Sequence, residues 1–200
     1  FRYSSDEIDY CLNLADISVL FFGPEFIGRL EAISDKIISH RLLIYVGEGL
    51  APTFSESYFM SAMNYSSENL SIEISDDDDA AIYFSSGTTG FPKAILHKHR
   101  ALMHSAICEQ QHHGQTKDDV FLCIPPLYHT GAKMHWFGSL ISGSKAVLLR
   151  GTKPETVIKA VSDELCTIVW MLVPWAQDIL DSLDRKDVEI ANYNLSQWRL

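Results

Sequence analysis

Hydrophobic positions along this chain fall in short blocks that switch repeatedly between helical and strand-like spacing. Ile8, Cys11 and Leu12 recur at helical intervals and predict a helix over 7–14. The apolar run over 17–22 predicts a strand buried on both faces. Gly23-Pro24 interrupts it, and Pro24 suits the first turn of a helix whose face, Phe26, Ile27, Leu30, Ile33 and Ile37, extends to about His40. A second buried strand is predicted over 42–46. Residues 54–63 read as a helix with Tyr58, Phe59, Ala62 and Met63 on its buried side. The polar stretch 64–79 ends in Asp76, Asp77, Asp78 and Asp79. Consecutive carboxylates lack the spacing and turn glycine of a calcium loop, so this run reads as a solvated loop before a strand.

The second half alternates more regularly. Strands are predicted over 80–84, 94–99, 120–124, 145–149 and 167–172, and helices over 100–113, 131–141, 154–165 and 174–183. In the helix over 154–165, Pro154 occupies the first turn and Val157, Ile158, Val161 and Leu165 face inward. In the last helix Trp175, Ile179, Leu180 and Leu183 are the expected buried positions. Strands alternating with helices imply right-handed crossovers. The fold class is therefore α/β, with a largely parallel sheet or sheets covered by helices on both faces.

Composition narrows the function classes. The 200 residues carry 16 Lys and Arg against 26 Asp and Glu, a net charge of −10. No basic stripe exists, so a nucleic-acid partner is not expected. Cys11, Cys108, Cys123 and Cys166 lie far apart with no C-x-x-C pair, which argues against a zinc ribbon or disulfide framework and fits free thiols in the cytoplasm. The longest apolar window, 167–176, is too short to span a bilayer and contains Pro174, so no transmembrane segment is expected. The first residue, Phe1, is not an initiator methionine, and targeting is not judged from it.

The chemistry-bearing stretch is Ser85-Ser86-Gly87-Thr88-Thr89-Gly90-Phe91-Pro92-Lys93, between two predicted strands. Gly87 and Gly90 permit sharp bends and close approach of a ligand to the backbone. The four hydroxyls, the loop amides and the charge of Lys93 together suit a polyphosphate. The Walker spacing is absent, because Phe91 and Pro92 separate Gly90 from Lys93 and Ala94 stands where a magnesium-binding hydroxyl would be.

The segment SSGTTGFPKA, followed by His97-Lys98-His99, resembles the phosphate-loop signature of the AMP-forming adenylating enzymes: acyl-CoA synthetases, luciferases and peptide-synthetase adenylation domains. One departure is visible, since the family usually has Gly where this chain has Ala94. The resemblance covers essentially all of residues 1–200 and implies the central part of the family's N-terminal domain, with both ends truncated. No aromatic-Gly-x-Thr-Glu segment, Ser/Thr-Gly-Asp segment or C-terminal lid domain is found in the sequence. The chain alone is therefore not expected to complete a catalytic cycle.

A second family-like segment, PPLYHTG over 125–131, directly follows a predicted strand. Ligands of open α/β sheets bind at the carboxyl ends of strands, which places His129 well. By resemblance His129 takes a catalytic role near the acyl phosphate. Read from the residues alone, a cap for the helix that starts near Thr130 is the better reading, and the phosphate loop tips the balance toward the site. Tyr128, Trp136 and Val173 are the expected substrate-pocket residues. Lys133, Met134, Trp136 and Phe137 could line an acyl pocket or belong to the core, and spacing does not separate the two.

No metal ligands are assigned. His97 and His99 would share one face of a strand, and His112-His113 are adjacent, but neither pair shows a third ligand nearby in sequence. The family reaction, as the resemblance implies it, joins a carboxylic acid to ATP with Mg2+, releasing pyrophosphate, and passes the acyl group to coenzyme A. The expected partners are these small molecules, and a homo-oligomer is compatible with the reading. Two alternatives stand beside it: an adenylation domain loading an acyl- or peptidyl-carrier protein, and a catalytically silent nucleotide-binding module, toward which Ala94 points.

Overall fold

The structure, a computed structural model, describes residues 3–85 and 90–200. The backbone forms two compact units, one ending at Lys98 and the other running His99–Leu200.

The first unit opens with α1 (Ser5–Leu14), whose start is set by a capping box. The Ser4 hydroxyl accepts from the Glu7 backbone N–H, and the Glu7 carboxylate accepts from the Ser4 N–H at 2.7 Å. Strands β1 (Val19–Phe22), β2 (Leu42–Tyr45) and β3 (Glu56–Ser57) pair in that order, all parallel. Phe22, Leu43 and Tyr45 pack against Leu12, Leu30, Ile33 and Ile37 to form the core of this unit. The other sheet face is exposed at Val19, Phe21 and Leu42, so the run over 17–22 is buried on one face rather than on both.

Two further expectations change here. The helix expected from Phe26 to His40 is broken into a 3₁₀ turn Pro24–Phe26, α2 (Ile27–Glu31), α3 (Ser34–Ile37) and a 3₁₀ turn Ile38–His40. At the break the Ile33 N–H bonds to Leu30, three residues back, and the Ser34 hydroxyl takes the Glu31 carbonyl at 2.9 Å. The apolar stripe survives the break, with Leu30, Ile33 and Ile37 all buried. The helix expected over 54–63 shrinks to α4 (Tyr58–Ala62), because Glu56 and Ser57 pair with Ile44 and Tyr45 as β3. Tyr58, Phe59, Ala62 and Met63, the expected buried side, are all exposed.

The unit closes with β4 (Asp79–Ser85) and β5 (Lys93–Lys98), an antiparallel hairpin among otherwise parallel pairs.

In the second unit α5 (His99–His112) leads to β6 (Val120–Cys123), which is central in a parallel sheet of order β7-β6-β8. Its partners are β7 (Lys145–Leu148) and β8 (Ile168–Trp170). Side chains alternate along β6. Phe121 and Cys123 pack with Ile168 and with Ala132 of α6 (Thr130–Ser142). Leu122, Ile124 and Val169 pack with Val157, Ile158 and Val161 of α7 (Pro154–Asp163) and Ile179 of α8 (Val173–Asp184). This sheet is covered on both faces, as expected. Leu165 and Leu180 are exposed rather than buried, and Leu165 adopts a φ of 54° just past the end of α7.

Candidate functional site

The phosphate-loop candidate is the turn of the β4–β5 hairpin. Ser85 and Lys93 are ladder partners, so they stand opposite each other at the mouth of the loop. Lys93 is exposed there and Pro92, next to it, is buried. The Phe91 ring lies 4.7 Å from the Tyr10 ring, which ties the loop's return limb to α1. Gly90 has a φ of 106°, and nothing lies within 4 Å of where a Cβ would be. A side chain at position 90 would be strained for backbone reasons, not for lack of space. Ser86, Gly87, Thr88 and Thr89 lie outside the described residues.

The backbone also accounts for Ala94. It pairs with Phe84 inside the ladder and is not among the residues with positive φ. Alanine is therefore at no disadvantage to glycine in this position.

The second candidate region lies at the carboxyl ends of β6 and β8. The chain leaves Cys123, turns through a His129 N–H to Pro126 carbonyl bond of 2.9 Å, and enters α6. His129 is the N-cap residue of α6, but its side chain makes no capping hydrogen bond, so the capping alternative does not hold. Its ring is exposed and sits 6.1 Å from that of Trp170, the last residue of β8. Gly131 lets these two rings approach closely. A Cβ there would fall 3.2 Å from Trp170 and 3.3 Å from His129 Nδ1. Tyr128 is exposed beside His129, and Val173 is exposed at the first turn of α8, just beyond β8. Trp136 is half-buried on α6 with its ring stacked 5.5 Å from Phe137.

Sequence reasoning missed Trp170 as the aromatic wall beside His129. The signal was the aromatic residue near the end of the predicted strand over 167–172, with a glycine, Gly131, at the start of the facing helix. The hairpin loop and the His129 edge belong to different units.

The remaining histidines and thiols sort by environment. His97 ends on β5 with its ring 5.0 Å from Tyr83, whereas His99 opens α5, so the two do not share a strand face. All four cysteines are free. Burial pushes the Cys123 thiol up to about 11, and burial with the nearby Glu164 charge does the same for Cys166, leaving both protonated and unreactive at neutral pH. His113 meets Glu109, one turn earlier on α5 and overlooked in the sequence reading, and His135 of α6, which its sequence neighbourhood does not reveal. Among the described residues no helix is long and apolar enough to cross a membrane.

Comparison with known proteins gives a consistent picture. A long-chain-fatty-acid–CoA ligase of Thermus thermophilus is 28% identical over 149 residues, covering 74% of this chain and 27% of that protein. A 4-coumarate–CoA ligase-like protein of Arabidopsis thaliana is 28% identical over 202 residues, covering 98% of this chain and 35% of that protein. The chain thus spans about a third of the length of the curated relatives it matches. Among solved structures, an anthranilate CoA ligase in complex with anthranoyl-AMP superposes with a TM-score of 0.85 at 22% identity, over 98% of this chain and 38% of that one. That likeness establishes the fold. The profile of the AMP-binding enzymes matches residues 1–200 throughout, and the chain belongs to that family.

Proposed function

We propose that this chain is the phosphate-loop-bearing part of the N-terminal domain of an AMP-forming acid–CoA ligase. The reaction is attack of a carboxylate on the α-phosphate of Mg·ATP, which forms an acyl-adenylate and releases pyrophosphate. Transfer of the acyl group to the thiol of coenzyme A follows. The observation that carries this reading is the hairpin mouth, where Lys93 stands opposite Ser85 and Gly90 supplies the left-handed turn between them.

The residues present fit a polyphosphate. Hydroxyls and amides of the loop and the Lys93 ammonium would hold the β- and γ-phosphates and offset the charge that builds on the leaving pyrophosphate. Magnesium enters this scheme with ATP, as part of the substrate. His129 and Tyr128, exposed at the carboxyl ends of the strands, would face the acyl phosphate, with Trp170 as an apolar wall. Val173 and Trp136 remain the assigned pocket residues. A cytoplasmic location fits the four free thiols.

The test is carboxylate-dependent exchange of labelled pyrophosphate into ATP by the full-length protein. Short, medium and long fatty acids, benzoates and amino acids are tried separately, and CoA and a carrier protein are then compared as acceptors. Exchange with one acid class and acyl transfer to CoA are expected. ATP binding with no exchange for any acid would overturn the reading in favour of a silent nucleotide-binding module.

A further inference from the structure

Three side chains from α5 and α6 converge within the second unit; none is an assigned ATP-phosphate residue, but His135 shares the Trp170 ring with His129. Glu109, His113 and His135 each bring one ligand atom to within 4.8 Å of the other two. His135 is buried, while Glu109 and His113 are only half-buried.

The chemistry of His135 is fixed by its surroundings. Its Nδ1 lies 2.5 Å from the Gly131 carbonyl oxygen, which can only accept, so Nδ1 carries a proton and donates it. The ring is held between Phe121, stacked at 5.3 Å, Trp170 at 5.6 Å and His113 at 4.9 Å. In the neutral ring Nε2 is then a lone pair, aimed into the cluster. It lies 3.3 Å from Glu109 Oε2 yet is buried without a hydrogen-bond partner. His113 Nδ1 lies 3.9 Å from the same carboxylate oxygen.

Two acceptors facing each other at 3.3 Å repel unless a cation lies between them. A proton on Nε2 would make this an ion pair, but the N–H would not point at the carboxylate well enough for a hydrogen bond. A metal does not need it. In a tetrahedral site with bonds of about 2.0–2.1 Å, neighbouring ligand atoms are about 3.4 Å apart and each lone pair points about 35° off the line joining them. The His135–Glu109 edge already has that length, and a modest swing of the half-buried His113 would complete the triangle. A histidine whose second nitrogen donates to a backbone carbonyl is also the usual form of a metal-bound imidazole.

We propose that Glu109, His113 and His135 form a binding site for a zinc-class divalent transition metal, clamping α5 to α6 with a fourth position open to water. Two imidazoles and one carboxylate suit Zn2+ rather than Mg2+ or Ca2+, which prefer all-oxygen sites. The proposal does not rest on the adenylation chemistry, and its test does not use activity.

The full-length protein, stripped with a chelator and free of nucleotide, is titrated with Zn2+ against a competing indicator, and separately with Co2+ while visible absorption is recorded. One equivalent of Zn2+ per chain is expected, with the intense ligand-field bands of tetrahedral or five-coordinate Co2+. His113→Ala and Glu109→Gln change half-buried groups and should fold. Each is expected to weaken Zn2+ affinity by about tenfold or more and to abolish the thermal stabilisation that Zn2+ gives the unaltered protein. A control addresses Cys108 and His104, exposed one turn apart on α5 with Sγ 3.5 Å from Nε2. His104→Ala should leave the affinity unchanged. Absence of stoichiometric binding, retention of affinity in both His113→Ala and Glu109→Gln, or loss of affinity in His104→Ala instead would each overturn the proposal.

Discussion

Position 94 is where the loop signature departs from its family pattern, and the backbone around it sets the consequence. Ala94 lies in an extended ladder opposite Phe84, and the left-handed conformation is taken by Gly90, four residues earlier. Glycine at 94 would add chain entropy to the unfolded state and remove a side chain from the strand. Ala94→Gly is therefore expected to lower stability by roughly 0.5–1 kcal/mol, measured by urea unfolding. It should also leave pyrophosphate exchange within about twofold, a barrier change under about 0.5 kcal/mol. A tenfold gain in exchange would show instead that glycine has a chemical role there. Lys93→Ala makes the complementary change. Its side chain is exposed, so stability should shift by less than about 0.5 kcal/mol, whereas exchange should fall about tenfold or more as a charge facing the phosphates is removed. At this scale the loop was legible because its chemistry is contiguous in sequence. His135 was not legible, because its meaning depends on Glu109 and His113 from another helix and on a carbonyl four residues back.

Five helix ends share one device, and only two of them announce it in the sequence. After α5 and α6 the left-handed residue is glycine, Gly114 and Gly143. After α1, α7 and α8 it is Asp16, Leu165 and Lys186, with φ of 47°, 54° and 60°. In each of these three the following N–H reaches back to the last turn, as Ile17 to Leu12, Cys166 to Val161 and Asp187 to Ser182. This is the Schellman closure, which normally favours glycine. Leu165 was read as the last inward residue of the helix over 154–165 because it continues the apolar period. The chain instead reverses hand there and buries Cys166 in its place. Leu165 is exposed and strained, so Leu165→Gly is expected to raise stability by about 0.5–1 kcal/mol in urea unfolding with an unchanged slope. A loss of stability would mean that the leucine contributes packing that its exposure does not suggest. The α7 face itself was fully legible, since Val157, Ile158 and Val161 follow one period and all reach the core. The helix over 54–63 was misread for the opposite reason: its first residues are drawn into the sheet by Tyr45 and Ile44, partners that no local pattern reveals.

Across the second unit, the contact that joins the most distant parts of the chain is polar and left no trace in the hydrophobic pattern. Arg199 grips Asp119, 80 residues away, through Nε to Oδ1 and Nη2 to Oδ2, both at 3.0 Å. The same guanidinium donates to the carbonyls of His113 and Gly114, and Asp119 also accepts from the Thr167 hydroxyl at 2.7 Å and the Thr116 N–H at 2.8 Å. Three segments are thereby fixed around the start of β6. Burial of Asp119 acts to raise its proton affinity, but hydrogen bonds from Arg199, Thr167 and the Thr116 backbone, with the Arg199 charge, outweigh it and hold the carboxyl well below the usual range. The unfolded chain, with a carboxyl near 3.9, therefore binds this proton more readily than the folded one. The resulting stability is fully present above the unfolded value and is lost as pH falls from there toward the folded value. Asp119→Asn removes the charge and sets an amide N–H₂ or a neutral oxygen against the guanidinium. Allowing for the partial exposure of Arg199, the expected loss at pH 7 is about 2 kcal/mol. Urea unfolding of the two proteins as a function of pH should show a constant gap from pH 7 down to about 5 and a narrowing gap below about 4. A gap that stays constant into acid would mean that Asp119 acts through shape alone, and a gap near zero at pH 7 would mean that solvent already serves Arg199 as well as the carboxylate does.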